Sequence, residues 1–306
     1  MRVALLFTDG VGVGPRDAAT NPLTDGEFLL SQFDDGSGTA LPASGRRIDV
    51  DTTFGIDGRP QSASNQTAIF TGLPAPRLIN GHVLGFPNAP LRQTLREHSI
   101  VKRMVTAGRS VSFANAYATD YLDALGLPRR EGTSEGLVFP EKLKKRIKAS
   151  ASTLAMAAGP VPLRTFDDLR RGEGLTHDVD GQMARRRFDV PTREPEAAAE
   201  IFWKVQADFT LFEHYLADEA GHSRDRGAAL DALRTFDRFA RAVIATRPAD
   251  TQVLVISDHG NVEDLSTRNH TRNPVAFLSF GPAVLPEVRD VAGVGAAALA
   301  LLGVGP

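Results

Sequence analysis

The 306-residue chain contains no cysteine, which removes disulfides, thiolate zinc sites, iron–sulfur clusters and cysteine nucleophiles together. Any metal it binds must be held by nitrogen and oxygen donors. Histidine is scarce as well, with seven residues: His82, His98, His177, His214, His222, His259 and His270. An excess of either charge is also missing. Lys+Arg number 35 against 37 Asp+Glu, a formal charge of −2, so no global basic field draws nucleic acid or an anionic membrane. The opening apolar run Val3–Phe7 is too short for a signal-peptide core or a membrane span. The Ala/Gly-rich tract Val291 to Val304 reads as a closing core helix. The expectation is a cytoplasmic protein without a transmembrane segment and without a nucleic-acid or membrane partner.

What is present is an α/β pattern. The length exceeds the roughly 100–200 residues of one ordinary domain. Short aliphatic or β-branched runs recur at Val3–Phe7, Ser110–Phe113, Phe209–Phe212, Gln252–Ile256 and Val275–Phe280. Helical periodicity fills Pro90–Ala107, Pro195–Ala207 and Ala228–Ile244 between them. Strands alternating with helices predict a three-layer α/β/α core with a mainly parallel sheet. Residues 119–193 break that alternation and carry basic runs, Lys142 to Lys148 and Arg185-Arg186-Arg187. Their net formal charge is +3 and that of the remainder −5. The segment reads as a small inserted cap, with 1–118 and 194–306 forming the core. Its basic stretches either clamp an anionic substrate or form a solvated face.

Four clusters place oxygen and imidazole groups at strand ends, where open α/β sheets bind ligands. Asp9-Gly10-Val11-Gly12 follows the first strand. A dinucleotide fingerprint would need its third glycine one residue later than Gly14, and a carboxylate there would repel pyrophosphate. Gln61 to Gly72 places Ser62, Ser64, Asn65, Gln66 and Thr67 at the start of an apolar helical stretch, which suits either helix capping or an anion-facing helix N-terminus. Asp218 and His222 lie four apart, on one face of a helical turn, as two ligands of one ion would. The alternative there is an ordinary polar loop. His214 and Asp225 are close in sequence but have no spacing that compels a role. Leu254-Val255-Ile256-Ser257-Asp258-His259-Gly260 ends an apolar strand in an oxygen and a nitrogen donor, with His270 eleven residues further on.

Together DGVG, QSASNQTAIFTG, DEAGH, SDHGN and HTRNPV, in this order, resemble the alkaline phosphatase superfamily of binuclear metalloenzymes. The nearest branch is that of cofactor-independent phosphoglycerate mutase and phosphopentomutase. The resemblance covers both halves of the core and leaves the cap largely unmatched. It implies two divalent ions, manganese or zinc. One would be held by Asp9, Ser62, Asp258 and His259, the other by Asp218, His222 and His270. Ser62 takes the place of the family's nucleophile, with Thr67 as fallback. Asn65 and Gln66, one turn on, and Asn80 and His82, in the following loop, are candidate phosphate contacts; His98 and His177 are expected on helix or cap surfaces. A metal-activated serine would make the chain a phosphohydrolase or phosphotransferase acting on small phosphate monoesters through a phosphoserine. An intramolecular phosphomutase and a catalytically silent metal-binding interaction module are the alternatives. The substrate-binding arginines of the phosphoglycerate mutases have no recognisable motif in the cap. The phosphopentomutase nucleophile motif and the sulfatase motif are absent, and the second absence argues against sulfate esters.

Overall fold

The computed structural model describes residues 1–42, 45–140, 142 and 146–305. The part of the basic run comprising Leu143, Lys144 and Lys145 lies outside the described residues. Six strands form the main sheet: β1 (Arg2–Thr8), β2 (Gly45–Val50), β3 (Val111–Phe113), β6 (Phe209–His214), β7 (Thr251–Ile256) and β8 (Val275–Phe280), in the order β2-β8-β7-β1-β6-β3. β1 pairs in parallel with β6 and β7, and β3 with β6, whereas β8 runs antiparallel to both β7 and β2. The sheet is therefore mixed and mostly parallel, in an α/β fold. The antiparallel β8 follows β7 through a loop, residues 257–274, rather than a crossover helix.

β1 is buried on both faces, and its side chains divide by the strand's two-residue period. Val3, Leu5 and Phe7 face one hydrophobic layer. That layer contains the helix α1 (Ser62–Thr71), the helices Ala89–His98 and Ile100–Thr106, and the C-terminal helix Val291–Leu301. Ala4 and Leu6 face the other layer, formed by the helices Pro195–Lys204 and Arg226–Ala245. No helix among the described residues is long and apolar enough to cross a membrane.

The predicted helix Pro90–Ala107 is two helices. Ser99 adopts φ −50° and ψ 129°, and its hydroxyl accepts the Val101 and Lys102 N–H groups, so it caps a new helix where the apolar period alone continued. β2 carries no apolar run. As the outer strand beside β8 it needs only one paired edge, and it exposes Arg46 and Asp49. The C-terminal helix lies directly against α1 because Gly295 has no side chain; a Cβ there would run into the Ile69 carbonyl.

Between residues 119 and 193 the chain forms short helices, and β5 (Arg164–Thr165) pairs in parallel with β4 (Ala116–Tyr117). Ala116, Ala118, Phe166, Leu169 and Val190 form a small cluster of their own. The helix Ala151–Ala158 instead sends Ala151, Ala155 and Met156 into the core layer that holds α1.

Candidate metal centre

The carboxyl ends of β1, β6 and β7 open onto one side of the sheet, and the chain turns there through the four sequence clusters. Asp9 follows β1 directly, and Asp258 and His259 follow β7 after Ser257. His270 lies further along the β7–β8 loop, and Asp218 and His222 stand on the helix Leu216–Ser223 that follows β6. Ser62 opens α1.

These residues converge. Ser62 Oγ lies 2.9 Å from His259 Nε2, which in turn lies 3.2 Å from Asp9 Oδ1 and 3.5 Å from Asp258 Oδ2. Asp218 Oδ2 is 3.2 Å from His222 Nε2, and Asp218 Oδ1 is 3.5 Å from His270 Nε2. The two Nε2 atoms of His222 and His270 are 3.1 Å apart. The rings of His259 and His270 stack at 3.7 Å. Two groups with metal-like spacing result, Asp9/Asp258/His259 and Asp218/His259/His270. His259 therefore stands between the sets that the sequence resemblance divided, because its stacking on His270 brings the second set within reach.

The electrostatics call for cations. Burial and the nearby Asp258 and Asp218 charges raise the pKa of Asp9 well above the usual carboxylate range. Burial likewise pushes Asp258 up to about 6. No hydrogen bond reaches the buried Asp9 Oδ1. Among the described residues, no lysine or arginine pairs with Asp9, Asp218 or Asp258.

The imidazoles are oriented for coordination. His270 Nδ1 donates to the Pro60 carbonyl at 2.8 Å and His222 Nδ1 to that of Arg268 at 2.7 Å, which turns both Nε2 atoms inward. Two such nitrogens at contact distance need a proton or a cation between them. Burial holds His259 and His270 down at about 4, whereas the hydrogen bond to Asp218 raises His222 to about 9. Burial alone would push Asp218 up, but the His222 hydrogen bond and the charges of His259 and His270 hold it below its ordinary value. Hard carboxylates and inward-facing imidazoles without a lysine or arginine fit divalent ions such as manganese or zinc.

The other named residues separate. Gln66 Nε2 donates to Asp9 Oδ2 at 2.9 Å and to Asp258 Oδ2 at 3.0 Å, tying the two carboxylates together. Asn65 does not face an anion: its amide is committed to the Thr52 and Asp258 carbonyls, both at 2.8 Å. Ser64 donates to the Gln61 carbonyl and Thr67 to that of Ala63, so Ser62 is the hydroxyl of this stretch that reaches the cluster. Asn80 is exposed in a left-handed turn at φ 48°. His82 is half-buried by the loop around Gly58 and does not line the cavity that opens from Ser62. His98 is exposed, Asp225 caps the helix Arg226–Ala245, and His214 is buried against Thr8. His177 is half-buried and lines the cavity that opens from Ser62 rather than an open helix or cap surface.

The sequence reading missed Glu263. It is 1% exposed and accepts the backbone N–H of Gly12 at 2.9 Å and of Asn261 at 2.8 Å, the Thr271 hydroxyl, and the Asn273 amide at 3.0 Å. Asn261 in turn donates to Asp218 Oδ1 at 2.6 Å. A carboxylate two residues beyond the Gly-Asn pair was the only signal, and its partners come from the loop after β1 and from two separate stretches of the β7–β8 loop.

The profile of the metalloenzyme superfamily matches residues 178–303. The match spans less than half of the chain and marks a similarity to the metalloenzyme superfamily. A 2,3-bisphosphoglycerate-independent phosphoglycerate mutase from Halobacterium salinarum is 37% identical over 82 residues, covering 25% of this chain and 16% of that protein. A phosphopentomutase from Deinococcus radiodurans is 33% identical over 106 residues, covering 33% of this chain and 27% of that protein. The homology is thus distant, and the matched segments span less than a third of those relatives. Two solved structures share the fold. The alkaline phosphatase of the Antarctic bacterium TAB5 superposes with a TM-score of 0.55 at 14% identity, covering 100% of this chain and 99% of that one. The Thermus thermophilus alkaline phosphatase gives 0.56 at 12% identity, covering 100% and 92%.

Proposed function

We propose that the chain is a two-metal phosphohydrolase or phosphotransferase that acts on small phosphate monoesters through a phosphoserine on Ser62. The observation that carries this reading is the approach of the Ser62 hydroxyl to His259 Nε2, the imidazole common to both ligand groups. Asp9, Asp258, His259 and Ser62 would hold one ion, and Asp218, His222 and His270, with His259 at their edge, the second. Bound there, manganese or zinc ions supply the positive charge that favours the serine alkoxide and offsets the charge on the transferred group.

The chain's own residues supply positioning. Gln61 gives no side-chain cap to α1, so the N–H groups of its first turn stay available to the oxygens of an incoming phosphoryl group. The Ser62 oxygen attacks phosphorus and the ester oxygen departs with the substrate's alcohol. Water then cleaves the phosphoserine and restores the hydroxyl. Gln66 holds Asp9 and Asp258 at fixed separation throughout.

Ser62→Ala is expected to lose at least about a thousandfold in turnover of a phosphate monoester while retaining metal binding. Full turnover by that variant with both ions bound would refute the covalent route. The similarity to a phosphoglycerate mutase and a phosphopentomutase favours a second reading, an intramolecular phosphomutase. Incubation with a labelled phosphosugar or phosphoglycerate separates the two: free phosphate marks the hydrolase, and an isomer without released phosphate marks the mutase.

A further inference from the structure

The site opens into a cavity of about 980 Å³, far larger than a phosphoryl group needs. Asp9, Ser62, Gln66 and Asp218 are part of its lining. Much of the remaining wall is aromatic, with Asp178, Arg186, Arg187 and Glu219 as charged residues beside it. The chain has three tyrosines, and Tyr117, Tyr121 and Tyr215 all line this cavity. Tyr117 stacks on Tyr121 with centroids 6.0 Å apart and planes 14° from parallel. His177 sits edge-on to Tyr117 at 5.2 Å and packs on Tyr215 at 5.1 Å. Burial keeps His177 neutral, with a pKa near 4, so its ring adds a face rather than a charge. Phe86 and Leu137, two exposed large apolar side chains, lie at the same cavity.

Within this wall, away from the ligand cluster, three polar atoms are buried and lack a partner: Tyr117 Oη, Thr176 Oγ1 and Asp178 Oδ1. Leaving such groups unpaired is costly unless a ligand satisfies them. Aromatic faces bind flat rings by stacking, and rings with polar edges also satisfy hydroxyls placed among those faces. A glycerol or open-chain carboxylate substrate would bond those hydroxyls at most and leave the aromatic faces uncovered.

We infer that this cavity selects phosphate esters whose alcohol half carries a planar ring with a hydrogen-bonding edge, nucleoside monophosphates being the simplest such class. The inference rests on Ser62 as the phosphate acceptor, because that places the ester beside Ser62 and its ring among the tyrosines.

The test uses the full chain loaded with manganese or zinc. First, kcat/KM is compared for adenosine 5′-monophosphate and glycerol 3-phosphate. Second, titration calorimetry compares adenosine with ribose, neither of which carries phosphate. The expected results are at least a tenfold kcat/KM preference for the nucleotide, and saturable binding of adenosine but not of ribose. Tyr117→Ala should bring the nucleotide/glycerol phosphate ratio close to one. Tyr117→Phe, which keeps the ring and loses only the hydroxyl, should leave an intermediate ratio and guards against a misfolded alanine variant. If adenosine binds and no ester turns over, the ring site stands and the phosphatase reading falls. If esters turn over without preference and adenosine does not bind, the ring site is refuted and the phosphatase reading stands. If adenosine does not bind and no ester turns over, both fall.

Discussion

Replacing Glu263 with glutamine tests whether one buried carboxylate holds the ligand loops in register. Its four partners come from the loop after β1, the turn after β7 and the segment just past His270. Burial raises its pKa, yet the partners lower it, since the two backbone N–H groups and the Asn273 amide can only donate. An ionised carboxylate accepts all four bonds; a glutamine amide accepts through its carbonyl and presents N–H to the other donors. With the amide nitrogen toward Thr271, whose hydroxyl can accept, the Asn273 bond is lost; with it toward the backbone pair, two bonds are lost. The lost bond contributes about 1.5 to 3 kcal/mol and the bonds that remain fall from charge-assisted to neutral strength, so the gross loss is about 3 to 6 kcal/mol. Relief from burying a charge offsets part of that, leaving a net destabilisation of about 2 to 4 kcal/mol.

The effect reaches the metal ligands through Asn261, which Glu263 fixes by its backbone and which fixes Asp218 by its side chain. Weakening such support typically costs about 10- to 100-fold in metal affinity. Urea unfolding of the chelated protein measures the first effect, and titration with a competing chelator the second. Gly12→Ala is the companion variant, because its methyl would collide with the Glu263 carboxylate, and it should reproduce the metal defect. Glu263→Gln within about 0.5 kcal/mol of the parent, with unchanged metal affinity, would refute the role.

Three further outcomes are expected. Burial lowers His214 to about 3 from its ordinary 6.5, so the unfolded chain binds a proton that the folded one refuses, and stability falls as pH drops from about 6.5 toward 3. From pH 7 to pH 5 this loss amounts to about 2 kcal/mol. Burial raises Glu213 to about 7, which gives the opposite sign across much of that window. The informative quantity is thus the stability difference between the parent and His214→Gln, followed by urea melts at both pH values; a constant difference would sink the assignment. Chelation should lower the melting temperature, since a ligand at a hundred times its Kd contributes about 2.7 kcal/mol, and identical melts with and without added manganese or zinc would count against a metal site. Gly295→Ala should destabilise by about 1 to 3 kcal/mol, because its methyl meets the Ile69 carbonyl in α1. A denaturation midpoint equal to that of the parent would show that the two helices can move apart freely.

Several features were legible in the sequence because their causes are local. The buried strands β1, β6, β7 and β8 read as apolar runs, and the ligand clusters read as abrupt polar endings to those runs. Asp258 and His259 follow Ile256 directly apart from Ser257, so the strand that creates the sheet edge also delivers the donors. What was not legible depends on contacts between distant segments. Gln66 looks like any helix-start amide until β1 and β7 bring Asp9 and Asp258 to the same point. His177 looks like a surface residue of a polar stretch until Tyr117 and Tyr215 close around it. Glu263 carries little pattern beyond its place after the Gly-Asn pair, because only the fold brings Gly12 to it. The same division explains the reading of the two metal groups. The family resemblance separates Asp218, His222 and His270 from Asp9, Asp258 and His259, but the 3.7 Å stacking of His259 on His270 makes the sets one cluster. A change at either imidazole should therefore disturb both ions, so binding at the two positions is expected to be coupled rather than independent.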